Sequence, residues 1–438
     1  MTSRARRLLA LLALPAVLAA CGAGSGAHAD ERVTIRFWAL GAEGEQVQRL
    51  VREFERANPG VRVDVQQIPW TAAHEKLLTS YVGDASPDVA QLGNTWIPEL
   101  VALGALEPLD ARVHRSAVID SSDYFSGIWR TNEVGGHLYG VPWYIDTRVL
   151  FYRTDVLHRA GYDSIPDTWA GWRRAMQAER RIMGPKQWPI FLPTNEWTQP
   201  VVLGMQAGSP LLKDSAQYGA FSDSAYRNAF KFYLGLFKDD LAPVAGNNDL
   251  GNVYQEFARG TIAMWITGPW NIGEMKRRLP PPVQQEWATA PLPGPTGDSS
   301  GVSTAGGSSF VLFRGSPHPD VAWRLIEFLS RPEQQLAFYR LTGDLPARPT
   351  AWHEGGLVDD RYTHAFWVQL HRVEPTPKVP EWEQIATKVF DYAEQAIRGG
   401  VPADSVLARL DRDVDGLLEK RRWLIAHHAE FPTAAGGH

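Results

Sequence analysis

The chain has 438 residues, 44% hydrophobic and 21% charged, with 39 glycines and 31 prolines, which excludes wholesale disorder and collagen-like or linker-like sequence. A net charge of −5 leaves no basic excess to neutralise a phosphate backbone, so no nucleic-acid partner is expected. The 17 tryptophans exceed what a core alone needs and point to flat aromatic faces at an interface or a ligand cleft.

The chain opens on an address. Arg4, Arg6 and Arg7 precede an apolar run from Leu8 to Leu18, of secretory length and too short to span a bilayer comfortably. Leu18-Ala19-Ala20-Cys21 follows, and Cys21 is the one cysteine of the sequence. This resembles the lipobox of bacterial lipoproteins, with residues 1–21 as signal peptide and Cys21 as the lipidated first residue. An ordinary signal peptide with an incidental cysteine is the plainer alternative. Residues 22–30 read as a flexible tether. The mature body is expected to be exported, anchored by lipid, and free of disulfides.

Alternating strands and helices follow. Val33, Ile35 and Phe37 alternate as in a strand. Val47, Leu50, Val51 and Phe54 give one helical face, Pro59-Gly60 stops it, and Val61, Val63 and Val65 alternate again. Strand, helix, strand at this spacing is a βαβ unit of a parallel sheet. Further strands are expected at Asp88–Leu92, Arg148–Arg153, Thr261–Thr267 and Phe310–Phe313, and Gly135-Gly136 and Gly140 punctuate a hairpin leading to Val141-Pro142-Trp143. Helices are expected around Leu77, from Trp96, from Trp169 with Asp167 as cap, around Phe230, around Leu325, and twice near the C-terminus. The Pro/Gly/Ser-rich stretch Pro291–Ser309 is the clearest internal boundary.

Chemistry motifs are absent. No dinucleotide or phosphate-loop glycine pattern occurs, no nucleophile elbow, and no zinc-binding pattern, so no cofactor, no metal and no catalytic residue is expected. His427-His428 reads as solvated tail. What remains is a set of aromatic and polar residues at loop ends after strands: Glu43, Asn94, Trp96, Trp143, Tyr144, Asp146, Asn195, Glu196, Trp197, Trp265 and Trp270, with the turn Gly306-Gly307-Ser308. Ligands of open parallel sheets bind outside the carboxyl ends of strands. Indole faces suit the C–H faces of sugar rings, and carboxylates and amides suit their hydroxyls.

Plainer roles compete. Trp129, Trp169, Trp172, Trp323 and Trp367 read as core. Trp265 reads equally as core and site, and Glu43 equally as site and helix-dipole partner. Asp146 could be a turn residue, and Gly306-Gly307 a simple turn. Trp270, on a Gly-Pro turn, reads as functional.

The ordered series Phe37-Trp38, Ser86-Pro87-Asp88-Val89, Gly140-Val141-Pro142-Trp143-Tyr144-Ile145-Asp146-Thr147, Phe257-Ala258-Arg259-Gly260, Ala263-Met264, Gly268-Pro269-Trp270 and Ala305-Gly306-Gly307-Ser308, after the lipobox, resembles the family 1 extracellular solute-binding proteins of bacterial ABC importers, the sugar and oligosaccharide group. The resemblance covers nearly the whole mature chain. It implies an α/β fold of two lobes joined by crossing strands, with a ligand cleft between them. One lobe would hold 31–145 plus 291–331, the other 146–290 plus 332–431, with a tail at 432–438. It further implies sugar capture without catalysis and delivery to permease subunits by a monomer. The family's first-loop acid matches Glu43 and its stacking tryptophan matches Trp270. Where relatives carry an acid after the Pro-Asp strand, this chain has Gly93-Asn94-Thr95-Trp96. The competing readings are the same fold holding a non-sugar solute, and a secreted glycoside hydrolase.

Overall fold

The computed structural model of the chain describes residues 32–297 and 301–427. The expected signal segment 1–21 with Cys21, the expected tether 22–30, His428 and the expected tail 432–438 lie outside the described residues. Among the described residues no helix is long and apolar enough to cross a membrane.

Two sheets organise the chain. Their strands in sequence order are β1 (Val33–Leu40), β2 (Val61–Ile68), β3 (Val89–Gly93), β4 (Gly140–Ile145), β5 (Val149–Arg153), β6 (Trp188–Phe191), β7 (Ile262–Thr267), β8 (Trp287–Ala290) and β9 (Gly307–Leu312). The first sheet has the order β2-β1-β3-β9-β4 and the second β8-β5-β7-β6. β1 runs parallel to β2 and β3, as the βαβ pattern requires, and β9 enters antiparallel between β3 and β4. In the second sheet β7 is parallel to β6, and β5 is antiparallel to β7 and β8.

Burial explains these elements. Ile35 and Phe37 are fully buried while Arg36 faces out, and the helix Gln48–Ala57 turns Leu50, Val51 and Phe54 onto that sheet. The cap of the helix Trp169–Ile182 falls one residue later than expected. Thr168, not Asp167, accepts from the Gly171 amide at 3.0 Å. The hydroxyl reaches the free N–H groups of the first turn, the usual role of a cap side chain.

The two sheets define two lobes, and the chain leaves the first for the second directly from β4 to β5 through residues 146–148. One boundary differs from the sequence expectation, which put 332 onward with the second sheet. The helix Pro332–Thr342 and the turn after it pack on the first. Gln335 Nε2 donates to the Pro142 carbonyl at 3.3 Å, and the Ile145 amide donates to the Leu345 carbonyl at 2.9 Å. β4 ends its sheet, and an edge strand exposes backbone groups that a neighbouring segment can satisfy. Farther on, the helix Trp382–Gly399 packs with Ala403–Leu417 beside the second sheet.

Candidate functional site

A cavity of about 600 Å³ opens between the lobes. Ten of the residues expected at a site line it: Glu43, Asn94, Trp96, Tyr144, Asp146, Trp197, Trp270, Gly306, Gly307 and Ser308. Sequence reasoning missed Trp70, Thr95, Arg148, Thr198, Thr304, Asp344 and Thr376, which also line it.

The polar floor is built around Tyr144. Its hydroxyl donates to Glu43 Oε1 at 3.1 Å and accepts from Gln91 Nε2 at 2.8 Å and Ser308 Oγ at 2.9 Å. Gln91 is held in turn by the Leu40 amide, which donates to its Oε1 at 2.7 Å. Glu43 sits in the first turn of the helix Gly41–Gln46 and lines the cavity. Burial pushes its carboxyl up, against hydrogen bonds from its own backbone, Tyr144 and Trp70. Gly41 makes room for that arrangement. It adopts φ +54°, and a Cβ there would stand 2.6 Å from Trp70 Cδ1.

The aromatic walls come from both lobes. Trp70 begins the helix Trp70–Val82 and meets Trp96 edge-on, their centroids 5.7 Å apart. Trp197 meets Trp382 edge-on at 5.6 Å. Trp270 starts the helix Trp270–Arg278 and is 37% exposed. Its ring folds back over Gly268, where a Cβ would lie 1.8 Å from Trp270 Cζ3. The glycine of Gly268-Pro269-Trp270 therefore fixes the ring's position by offering it a bare Cα.

Arg148 links wall to floor. Its guanidinium hydrogen-bonds Asp146, lies 3.8 Å from Glu196 Oε1, and stacks over the Trp270 ring at 4.7 Å. Asp146 is thus a partner of this arginine and no bare turn residue.

Four expected site residues stand elsewhere. Trp143 is 1% exposed, stacked between Phe310 and Phe338 at 4.6 and 4.3 Å. Neighbouring strand residues face opposite ways, so a core Trp143 accompanies a cavity Tyr144. Trp265 packs against Tyr254 at 6.3 Å instead of lining the cavity. Asn195 accepts from the Asn247 amide at 2.8 Å and holds that loop. Glu196 acts from behind, through Arg148 and Thr198. Asn94 does line the cavity, but its amide donates to Thr131 Oγ1 at 2.6 Å and accepts from Ser309 Oγ at 3.1 Å. The glycine pair serves a backbone approach, though to protein: Cβ atoms at Gly306 and Gly307 would meet Asp146 O at 2.6 Å and Tyr144 O at 2.2 Å.

Two α/β lobes, with aromatic walls and a carboxylate floor in the cleft between them, define a binding protein for a small solute. Residues 38–336 match the family model described as bacterial extracellular solute-binding protein, and the chain belongs to that family. It is similar to the diacetylchitobiose binding protein DasA of Streptomyces coelicolor, 24% identical over 95% of this chain and 98% of that protein. The galactooligosaccharide-binding protein of Bacillus subtilis is 23% identical over 87% of this chain and 89% of its own length. Among solved structures, the sugar-binding protein MalE from Xanthomonas citri superposes with a TM-score of 0.87 at 47% identity, covering 90% of this chain and 100% of that one.

Proposed function

We propose that this protein captures a saccharide in the cleft by lobe closure and delivers it to the transmembrane subunits of an ABC importer, without changing it chemically. The observation that carries the reading is the pairing of tryptophan faces with hydroxyl-binding groups in one cavity: Trp70, Trp96, Trp197 and Trp270 around Glu43, Tyr144 and Asp344. Stacked indoles take the apolar faces of a sugar ring and the floor takes its polar edge. The names of the relatives support a saccharide over another solute. The hinges are the strand crossings near Ile145-Asp146 and Ala290-Pro291. The protein works as a lipid-anchored monomer outside the cytoplasm, held by Cys21.

A thermal-shift screen of saccharides and non-sugar solutes against the protein lacking residues 1–21 tests this. At least one should raise the melting temperature and be recovered intact by mass analysis. Steady turnover would favour the glycosidase reading. A panel in which only non-sugar solutes shift the melt would favour the other.

A further inference from the structure

Asp344 is the acid among the cavity residues that the sequence motifs leave unexplained. It follows the helix Pro332–Thr342, which ends on Gly343 in the left-handed conformation at φ +87°. The turn is tied down on every side. Asp344's amide donates to Thr342 Oγ1 at 3.0 Å, Pro346 bridges to Tyr144, and Gln335 Oε1 accepts from the Ala347 and Arg348 amides at 3.0 and 3.2 Å. Arg348 itself is bound to Asp123 at 2.8 Å. The side chain so placed is 6% exposed, and what it faces is the cavity.

Charge on the lining decides what can sit against it. Among the described residues lining the cavity, the acids are Glu43, Asp146 and Asp344 and the one cation is Arg148. Arg148 is already matched by Asp146 and by Glu196 behind it. Glu43 and Asp344 are left without a cation, and the buried hydroxyl of Tyr144 lies beside them. We infer, resting on the saccharide reading above, that Asp344 is a specificity-determining residue that with Glu43 selects uncharged sugars and refuses a ligand bearing a carboxylate or phosphate at this end of the cleft. Hydroxyls donate to such a pair; an anion meets uncompensated like charge.

The titration of the pair supports this. Burial first, and then the neighbouring Glu43 charge, push the Asp344 carboxyl up to about 7, against a hydrogen bond from Thr342. The groups facing it are Glu43 from the helix Gly41–Gln46, Tyr144 from β4 and Thr342 from its own helix. Refusal of an anion should therefore strengthen with pH: weak near pH ~5.5, where Asp344 holds its proton, and strong near pH ~8.5, where it does not.

The experiment takes the neutral saccharide with the strongest shift in the screen and oxidises each of its primary alcohols in turn to a uronic acid, ionised throughout that range. Calorimetry at both pH values then compares wild type with Asp344→Asn, whose melt reports folding. The expected result is that wild type refuses at least one uronate by about a hundredfold at the higher pH, and that Asp344→Asn narrows that ratio about tenfold and flattens its pH dependence. Wild type accepting every uronate within severalfold of the parent, or a ratio unchanged in Asp344→Asn, overturns the inference while leaving saccharide capture intact. If no neutral saccharide binds wild type, the functional reading falls first and this inference with it.

Discussion

Arg148 and Trp270 are stacked across the cleft wall, the guanidinium carbon 4.7 Å from the ring centroid. The arginine is held by Asp146 and Glu196, and the ring rests on Gly268, so each partner is fixed by groups other than the other. A pre-positioned ring loses little conformational freedom on binding, which is what makes an aromatic anchor effective.

Trp270→Ala should accordingly weaken saccharide binding by about 2 kcal/mol or more, roughly thirtyfold, with little change in the melt. Trp323, buried on the helix Pro319–Leu329, is the control: Trp323→Phe should lower the melting temperature and spare affinity. Normal binding by Trp270→Ala, measured by calorimetry, would remove the ring from the site.

Trp143→Ala should behave in the opposite way to Trp270→Ala. Its indole fills the space between Phe310 and Phe338, and emptying it should cost roughly 3–5 kcal/mol of stability in urea unfolding. An unfolding midpoint equal to wild type would show that the stack contributes nothing.

The contrast between Trp143 and Trp270 marks what the sequence can convey. Alternation locates β1 and β2 because their exposed and buried residues take turns, and that leaves a period, whereas β5 and β7 are buried on both faces and read only as short apolar runs. Loop-end position singles out Tyr144 and Trp270 for the same topological reason. The same rule misplaces Trp143, since adjacent strand residues share a loop end but not a face. Trp70 and Asp344 carry no such signal: one starts a helix after Pro69, and the other follows the glycine that ends a helix. Both become cavity residues only through contacts with segments far away in sequence, Gly41 for one and the Tyr144 strand for the other.

Cys21→Ser should abolish lipid labelling of the expressed protein and release it from the membrane fraction. Stable anchoring needs more than one acyl chain, so partial release of wild type would indicate single acylation. Labelling that persists in Cys21→Ser would refute the lipobox reading.

Glu179 carries a pH dependence of stability unrelated to the cleft. It is fully buried on the helix Trp169–Ile182, and neither carboxylate oxygen has a hydrogen-bond partner among the described residues. Burial pushes its carboxyl up to about 9, only partly opposed by Arg159. The folded pKa lies above the unfolded one, so its contribution is fully present below about pH 4.5 and is lost as pH rises toward 9. Glu179→Met replaces the acid by an apolar chain of similar volume and should stabilise the protein at pH ~8 by about 1–4 kcal/mol, with a smaller effect at pH ~5. Equal effects at the two pH values, in parallel urea titrations, would show that the acid is not neutral in the fold.

Closure itself should respond to pH. His74, on the Trp70–Val82 helix of the first lobe, hydrogen-bonds Glu99 at 2.7 Å and packs its ring 5.1 Å from Trp96. Glu383, in the first turn of Trp382–Gly399 from the second lobe, faces the same spot and hydrogen-bonds Thr95. Glu381 lies nearby with Arg421 and Lys420 around it. The Glu99 hydrogen bond raises the His74 pKa, and burial raises that of Glu383. With both protonated, His74 sits as a cation beside Glu99 and a neutral Glu383. With both deprotonated, two carboxylates from opposite lobes face each other. Of these contacts only Glu383 crosses between the lobes, and its charge adds to the rise of the His74 pKa, so closing this contact takes up protons and saccharide affinity should fall as pH rises from about 5 to 8. His74→Gln keeps a hydrogen-bonding side chain without the titration and should flatten the profile, whereas Trp70, one turn earlier, still supplies the cavity wall. Calorimetry across that range decides the matter: affinity that rises with pH, or a slope unchanged in His74→Gln, would mean that this contact does not govern closure.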